Sequence, residues 1–194
     1  MSPEPVLDKG ELRRKLRGLL KALPATESGA ASGRAQALLR QQSVWKSARA
    51  VLFYAPLAGE IDLSPLLEEG LRAGKTIALQ RFMKETGAYD ACQICDVAGD
   101  CAPGKFGISE PTAQCARFPL KQLDLVLVPG VGFDASGHRL GRGQGFYDRL
   151  LAQISGIKCG VAFDQQILAR IPGEKHDVRM NCILTPTRWL EISG

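Results

Sequence analysis

The sequence predicts an α/β fold: a single-domain, three-layer α/β/α arrangement around a mostly parallel, Rossmann-like central sheet. Three observations carry this. Apolar runs of strand length alternate along the chain with segments of helical period. The run Leu125 to Val128 is continuously apolar, as a strand covered on both faces is. The 194 residues, 45% of them apolar, fit one compact domain spanning 1–194. Strand–helix alternation of this kind gives a parallel sheet with its ligand site beyond the carboxyl ends of the strands.

The elements follow in order. Asp8 can cap a first helix, and Glu11 three residues on completes a capping box. Leu12, Leu16, Leu19, Leu20 and Leu23 form one apolar stripe, Arg13, Arg14, Lys15 and Arg17 lie off it, and Pro24 stops the helix. A second helix over 26–42 is richer in alanine than in large apolar residues. A buried strand ends at Tyr54. Ser64 caps the next helix, with Pro65 first inside it and Gly74 its stop. Lys75 to Gln80 is a second strand, and Gly87 to Val97 alternates as an antiparallel strand does. Residues 99–123 read as a long surface loop. After the strand at Leu125 comes a glycine-rich loop, 130–145, then a helix, 146–154. Ile157 to Phe163 is a fourth core strand, 164–171 a short helix, and Asn181 to Pro186 a last strand.

Composition narrows the function classes. A net charge of +5 and a pI near 9.0 describe a mildly basic surface that could meet nucleotide phosphates, a polyglutamate tail or nucleic acid. The basic residues are spread and aromatics are only 6%, which argues against a nucleic-acid module. The six cysteines do not form a secreted disulfide framework. Cys159 and Cys182 read as small buried thiols. Cys92 and Cys95 form a C-x-x-C pair with no second pair to complete a zinc ribbon, so reduced thiols are expected. The N-terminus lacks the basic start and apolar core of a signal peptide, and no apolar run approaches the roughly 18 residues of a membrane span. A cytoplasmic protein with no membrane partner is expected.

The chemistry concentrates in "LVPGVGFDASGHRLGRGQGFYDRLL". Glycines at 130, 132, 137, 141, 143 and 145 allow close backbone approach and positive φ. Successive N–H groups in such a loop, with a helix start behind them, make a phosphate site. Arg139 and Arg142 flank the glycines with always-charged forks suited to phosphate oxygens. Asp148, just after Gly145, can hold magnesium, which favours a few carboxylates plus phosphates. Phe146 and Tyr147 can stack on a flat ring. The stretch lacks the Lys-Ser/Thr of a P-loop and does not match the dinucleotide fingerprint. A flexible loop whose glycines only serve turns is the plain rival.

This stretch resembles the signature of the 5-formyltetrahydrofolate cyclo-ligase family: Pro-Gly, Phe-Asp, Gly, Arg-Leu-Gly, Gly, Gly, an aromatic pair and Asp. "KGELR", "FYAPLAGEID", "FGISEP" and "EKHDVRMNCILTP" resemble further family segments in the same order, so the resemblance runs from Lys9 to Thr185. It implies a cytoplasmic ligase that uses ATP and Mg²⁺ to turn 5-formyltetrahydrofolate, possibly polyglutamylated, into 5,10-methenyltetrahydrofolate. A monomer acting on a small molecule is expected. A non-catalytic anion- or nucleic-acid-binding module and a sugar-phosphate isomerase-like enzyme are the alternatives.

Carried over residue by residue, the resemblance assigns ATP binding to Lys9, Gly10, Glu11, Leu12 and Arg13 and to Arg139, Leu140, Gly141, Arg142, Gly143, Gln144, Gly145, Phe146 and Tyr147. It assigns the folate to Ala55, Glu60 and the segment Arg142, Gly143, Gln144, Gly145 and Phe146. Asp148 and Asp177 are its magnesium positions, and Arg142, Arg139 and Lys9 supply catalytic charge. Lys9 and Arg13 read without the resemblance as a solvated helix face, and Glu60 as an ordinary loop charge. His176 is a candidate base without a visible partner, and His138 is expected to be exposed. The chain departs from the family at Gln80, in place of a proline, at Phe146, in place of a tyrosine, and at Asn181, in place of an acid. The last removes 181 from the metal candidates.

Overall fold

The computed structural model describes residues 8–104, 107–174 and 177–192. In chain order these hold α1 (Lys9–Lys21), α2 (Ala25–Gln41), α3 (Ser43–Ser47), β1 (Ala50–Phe53), α4 (Ser64–Arg72), β2 (Thr76–Met83), β3 (Ala88–Ile94) and α5 (Val97–Asp100). There follow β4 (Cys101–Pro103), β5 (Ser109–Pro111), β6 (Leu125–Pro129), β7 (Gly132–Asp134), β8 (Arg139–Leu140), α6 (Phe146–Leu151), β9 (Ile157–Val161), β10 (Ile167–Leu168), β11 (Cys182–Leu184) and β12 (Trp189–Glu191).

Seven strands form the main sheet in the order β12-β11-β9-β6-β1-β2-β3. β11, β9, β6, β1 and β2 run parallel, and antiparallel β12 and β3 close the edges. The strand period of two sorts side chains into two cores. Val51, Phe53, Ile77, Leu79, Leu125 and Leu127 join Leu39, Trp45 and Leu66 from α2, α3 and α4. Leu52, Ala78, Val126, Val128 and Ile183 join Leu150 and Leu151 of α6 and Phe133 of β7. Because β6 is covered on both sides, it shows no polar alternation in sequence. This is the mostly parallel three-layer architecture that the sequence predicts.

α1 serves the site rather than the sheet. Its capping box forms as expected, the Asp8 side chain accepting from Glu11 N at 2.8 Å and Glu11 Oε2 from Asp8 N at 3.1 Å. Leu12 and Leu16 bury against Val131, Leu140 and Ile171. These partners belong to the segments around the small sheet β10-β7-β8, which begins just past the carboxyl end of β6. Gly132 permits the contact, since a Cβ there would stand 2.7 Å from Leu16 Cδ1. Truncating Leu16 to alanine would remove about 2–5 kcal/mol of packing and loosen the helix that carries Lys9 and Arg13.

Several expectations are corrected. Leu19 is 47% exposed, because α1 turns it away from the buried stripe. Ser64 does not cap α4. Leu63 holds that position, and Asp62 Oδ1 accepts from Ser64 N at 2.8 Å. The loop 99–123 contains the antiparallel pair β4–β5, and the glycine loop contains β7 and β8. The segment 164–171 is a short turn followed by β10, because the buried Gln166 spends its side chain on Phe163 N, Gly130 O and Val131 O. His138 is not exposed but sits on Asp134, with Nδ1 3.2 Å from Oδ2. All six cysteines are free thiols, and Cys92, Cys159 and Cys182 are buried.

Candidate active site

A cavity of about 470 Å³ opens beyond the carboxyl ends of β1 and β6. That is where a parallel sheet parts its connections and leaves a crevice. Its walls come from separated parts of the chain: α1, the segment after β1, Gln80 of β2 and Tyr89 of β3, β5 with Ile108 before it, the glycine loop with the start of α6, and Glu174 and Asp177.

The glycine loop forms the longest wall. Arg139 through Asp148 all line the cavity. Gly143 has φ of 102°, a left-handed value that side chains resist, and it packs near the Arg13 guanidinium. Arg13 crosses from α1, its Nε donating to Gly141 O at 2.8 Å, and so ties the helix to the loop.

Arg139 is almost wholly buried, its side chain 5% exposed. Its Nη2 donates to Asp148 Oδ1 at 2.9 Å, and its guanidinium lies 5.2 Å over the Tyr147 ring. Arg142 reaches the opposite side, where Nη2 donates to Glu60 Oε1 at 2.8 Å. Glu60 Oε2 accepts from Leu57 N at 3.0 Å. Lys9 Nζ donates to Glu174 at 2.8 Å and Asp177 at 3.1 Å. Burial works against its charge, but those two carboxylates outweigh it and leave its pKa raised. Burial, and then the Glu60 charge, holds the Tyr54 and Tyr147 hydroxyls above their ordinary range.

Thus the structure gathers Ala55, Glu60, Lys9, Arg13, Arg139 through Asp148, and Asp177 around one space. Gly10, Glu11 and Leu12 do not line it, since Glu11 closes the capping box and Leu12 belongs to the core. Asn181 accepts from Lys158 N at 2.9 Å, which gives that residue a structural task. Phe146 joins Phe82 and Tyr89 in an edge-to-face cluster, with centroids 5.5 to 5.8 Å apart. His176 lies outside the described residues.

Sequence reasoning gave no role to Glu110 and treated Gln80 only as a departure. Both line the cavity. Among the described residues, three buried side-chain atoms lack a hydrogen-bond partner: Gln80 Nε2, Glu110 Oε1 and Arg139 Nε. All three residues belong to this cavity. An unmet buried polar group costs about 1–3 kcal/mol, so their concentration here marks a place shaped for something polar. The signal that could have found Glu110 is its place in "FGISEP", a carboxylate between Ser109 and Pro111.

Fold and cavity together define an α/β protein whose strand ends carry a cationic glycine loop facing carboxylates, a site for an anionic ligand. The sequence profile described as the 5-formyltetrahydrofolate cyclo-ligase family matches residues 6–186. The chain belongs to that family and is an enzyme of the ligase class. It is 33% identical to the 5-formyltetrahydrofolate cyclo-ligase of Mycolicibacterium smegmatis, with 98% of each chain covered. The Escherichia coli K12 protein of the same name is 31% identical over 74% of this chain and 81% of its own. The solved structure of Aquifex aeolicus 5,10-methenyltetrahydrofolate synthetase superposes with a TM-score of 0.87 at 31% identity, covering 96% of this chain and 93% of that one.

Proposed function

We propose that this enzyme converts 5-formyltetrahydrofolate to 5,10-methenyltetrahydrofolate with ATP, releasing ADP and phosphate. The observation that carries the reading is one cavity lined together by Arg13, Arg139, Arg142 and Glu60. Its arginines suit a polyphosphate, and its carboxylate suits a ring with N–H donors.

A formamide is a poor electrophile and must be activated. Its oxygen attacks the γ-phosphorus of ATP, and the bond to ADP breaks. The product is an imidate-like phosphate on the carbon attached to N5. The N10 lone pair attacks that carbon, N10 loses its proton, and the C–O bond breaks to expel inorganic phosphate. The ring closes with a delocalised N5–CH–N10 cation. No covalent enzyme intermediate is needed, so the protein positions groups and offsets charge. Arg139 and Arg142, with Lys9, stabilise negative charge on the transferring phosphoryl group, and Gly141 to Gly145 let the backbone approach it.

Asp148 and Asp177 are hard oxygen donors on the same cavity, and they suit Mg²⁺, which takes one or two carboxylates plus phosphate oxygens. No group of three metal-ligating residues occurs among the described residues. When bound, the ion would neutralise phosphate charge. Asp148 and Asp177 are held here by Arg139 and Lys9, the cations that a nucleotide would draw toward itself.

On this reading residues 1–194 act as one catalytic domain, monomeric and cytoplasmic, on a small molecule rather than nucleic acid or a membrane. No described helix is long and apolar enough to cross a membrane. Polyglutamylated folate belongs among the enzyme's substrates, because a second groove lined by Arg13, Arg14, Arg17, Lys21 and Arg142 shares Arg13 and Arg142 with the cavity. The test is ADP release on addition of 5-formyltetrahydrofolate. ADP and methenyltetrahydrofolate should appear in equal amounts, and folate turnover without ATP would overturn the reading.

A further inference from the structure

We propose that Glu110 and Gln80 read the lactam edge of the substrate's pterin, a ring N–H beside a ring carbonyl, and so set which pteridine the enzyme accepts. The proposal rests on the folate reading above and names residues that reading does not use.

Glu110 stands in β5 and is 6% exposed. Its Oε2 accepts from Phe82 N at 3.0 Å, which fixes the carboxylate and leaves Oε1 with no partner. Gln80 lies two residues before Phe82 on β2, so the two side chains leave the same face of the strand. Its Nε2 lacks a partner of good hydrogen-bond geometry, and the polar group it approaches is the Tyr147 hydroxyl. One fixed acceptor and one donor thus converge on the cavity from adjoining positions. A lactam presents the complement, N–H toward the acceptor and C=O toward the donor.

The neighbouring walls suit a flat heterocycle. Phe82, Tyr89 and Phe146 meet edge to face, and Tyr89 and Phe146 border the same space as Glu110 and Gln80. Glu60 is less suited to this edge. Arg142 and Leu57 N already occupy its two oxygens. Glu110 is the buried carboxylate whose acceptor stands ready.

The test compares wild type, Glu110→Gln and Gln80→Met. Binding is measured for 5-formyltetrahydrofolate and for its 4-amino counterpart, in which an amino group replaces the ring carbonyl and the ring N–H is gone. Glu110→Gln keeps an oxygen for Phe82 N–H while turning the unpaired acceptor into a donor. It should weaken 5-formyltetrahydrofolate binding about tenfold or more, because a polar site left unmatched discriminates strongly. It should narrow or invert the preference over the 4-amino compound and leave the KM for ATP unchanged. Gln80→Met, which removes only the donor, should weaken binding about three- to tenfold, the worth of one neutral hydrogen bond. Unchanged affinities, or equal losses for the two ring types, would overturn the assignment and leave both residues structural. Wild-type protein inert toward 5-formyltetrahydrofolate and ATP would instead overturn the functional reading itself.

Discussion

Arg142 and Glu60, 82 residues apart in sequence, are joined at 2.8 Å across the mouth of the cavity. The pair couples the loop proposed to hold phosphate to the carboxylate proposed to hold the pterin. Both Glu60 oxygens are occupied, by Arg142 Nη2 and Leu57 N, while Arg142 commits one donor to the pair. The Arg142 side chain is 53% exposed and Glu60 only 10%, so the arginine is the half free to move.

Arg142→Ala should therefore leave the fold intact and remove most of the activity. An exposed ion pair is worth about 0–1 kcal/mol, so the melting temperature should fall by only a few degrees at most. Loss of a charge that meets the transferring phosphoryl group should lower kcat/KM by about 100-fold or more. Arg142→Lys should restore part of this, since it returns the charge without the fork. The absorbance of methenyltetrahydrofolate reads all three proteins, and near-wild-type turnover in the alanine variant would remove Arg142 from the reaction.

Asp148 supports two predictions at once. Replacing it with asparagine leaves the buried Arg139 charge without its carboxylate, which should cost about 1–3 kcal/mol of stability. It should also raise the Mg²⁺ concentration needed for half-maximal turnover, by about tenfold if one ligand of the ion is lost. Chelation of divalent metal should abolish turnover of the wild type. A destabilised variant with an unchanged Mg²⁺ titration would confine Asp148 to its bond with Arg139.

The parts that were legible in sequence are contiguous. Leu125 to Asp148 carries a buried strand, a run of glycines, two arginines and a carboxylate within one stretch, and the structure keeps them together. The parts that were not legible depend on contacts between distant segments. Glu110 lies in a three-residue strand, Ser109–Pro111, too short to show a period, and its meaning comes from Phe82 N and the cavity. The sequence from Asp164 has helix-like spacing, but the side chain of Gln166 binds Gly130 O and Val131 O and diverts the chain into β10. Helix α1 was readable as a helix, while its place beside the glycine loop follows from Leu16 packing over Gly132.

The groove along α1 predicts a preference for longer folate tails. Arg14, Arg17 and Lys21 are exposed and continue outward from Arg13 and Arg142, which border the cavity as well. An oligo-γ-glutamyl chain carries carboxylates at intervals and would follow that path. Arg14→Ala combined with Arg17→Ala should raise KM for a triglutamyl substrate by about three- to tenfold, since each exposed pair is worth at most about 1 kcal/mol. The monoglutamyl substrate should be unaffected, and the difference should shrink as salt screens it. Equal KM changes for the two substrates would show that the groove does not hold the tail.

Stability against acid depends on a contact at the amino end of the strands, opposite the cavity. Asp124 sits just before β6, and its Oδ2 accepts from Ala50 N at 2.9 Å and Arg49 N at 2.8 Å. It thereby ties the start of β1 to the start of β6. The bond from Ala50, then that from Arg49, favours the ionised form and places the Asp124 pKa below its ordinary value. A depressed carboxylate pKa means that the unfolded chain takes up the proton first. The contribution is therefore fully present above the unfolded value of about 3.9 and is lost as pH falls through the lower folded value. Asp124→Asn should melt a few degrees below wild type at pH 7, because removing charge from hydrogen bonds at an exposed site costs about 1 kcal/mol. The gap between the two proteins should close as pH drops below 4, where wild-type Asp124 is itself becoming neutral. Thermal unfolding followed by circular dichroism from pH 7 to pH 2.5 measures that gap directly, and a gap of constant size throughout would show that the charge of Asp124 does not hold these strands together.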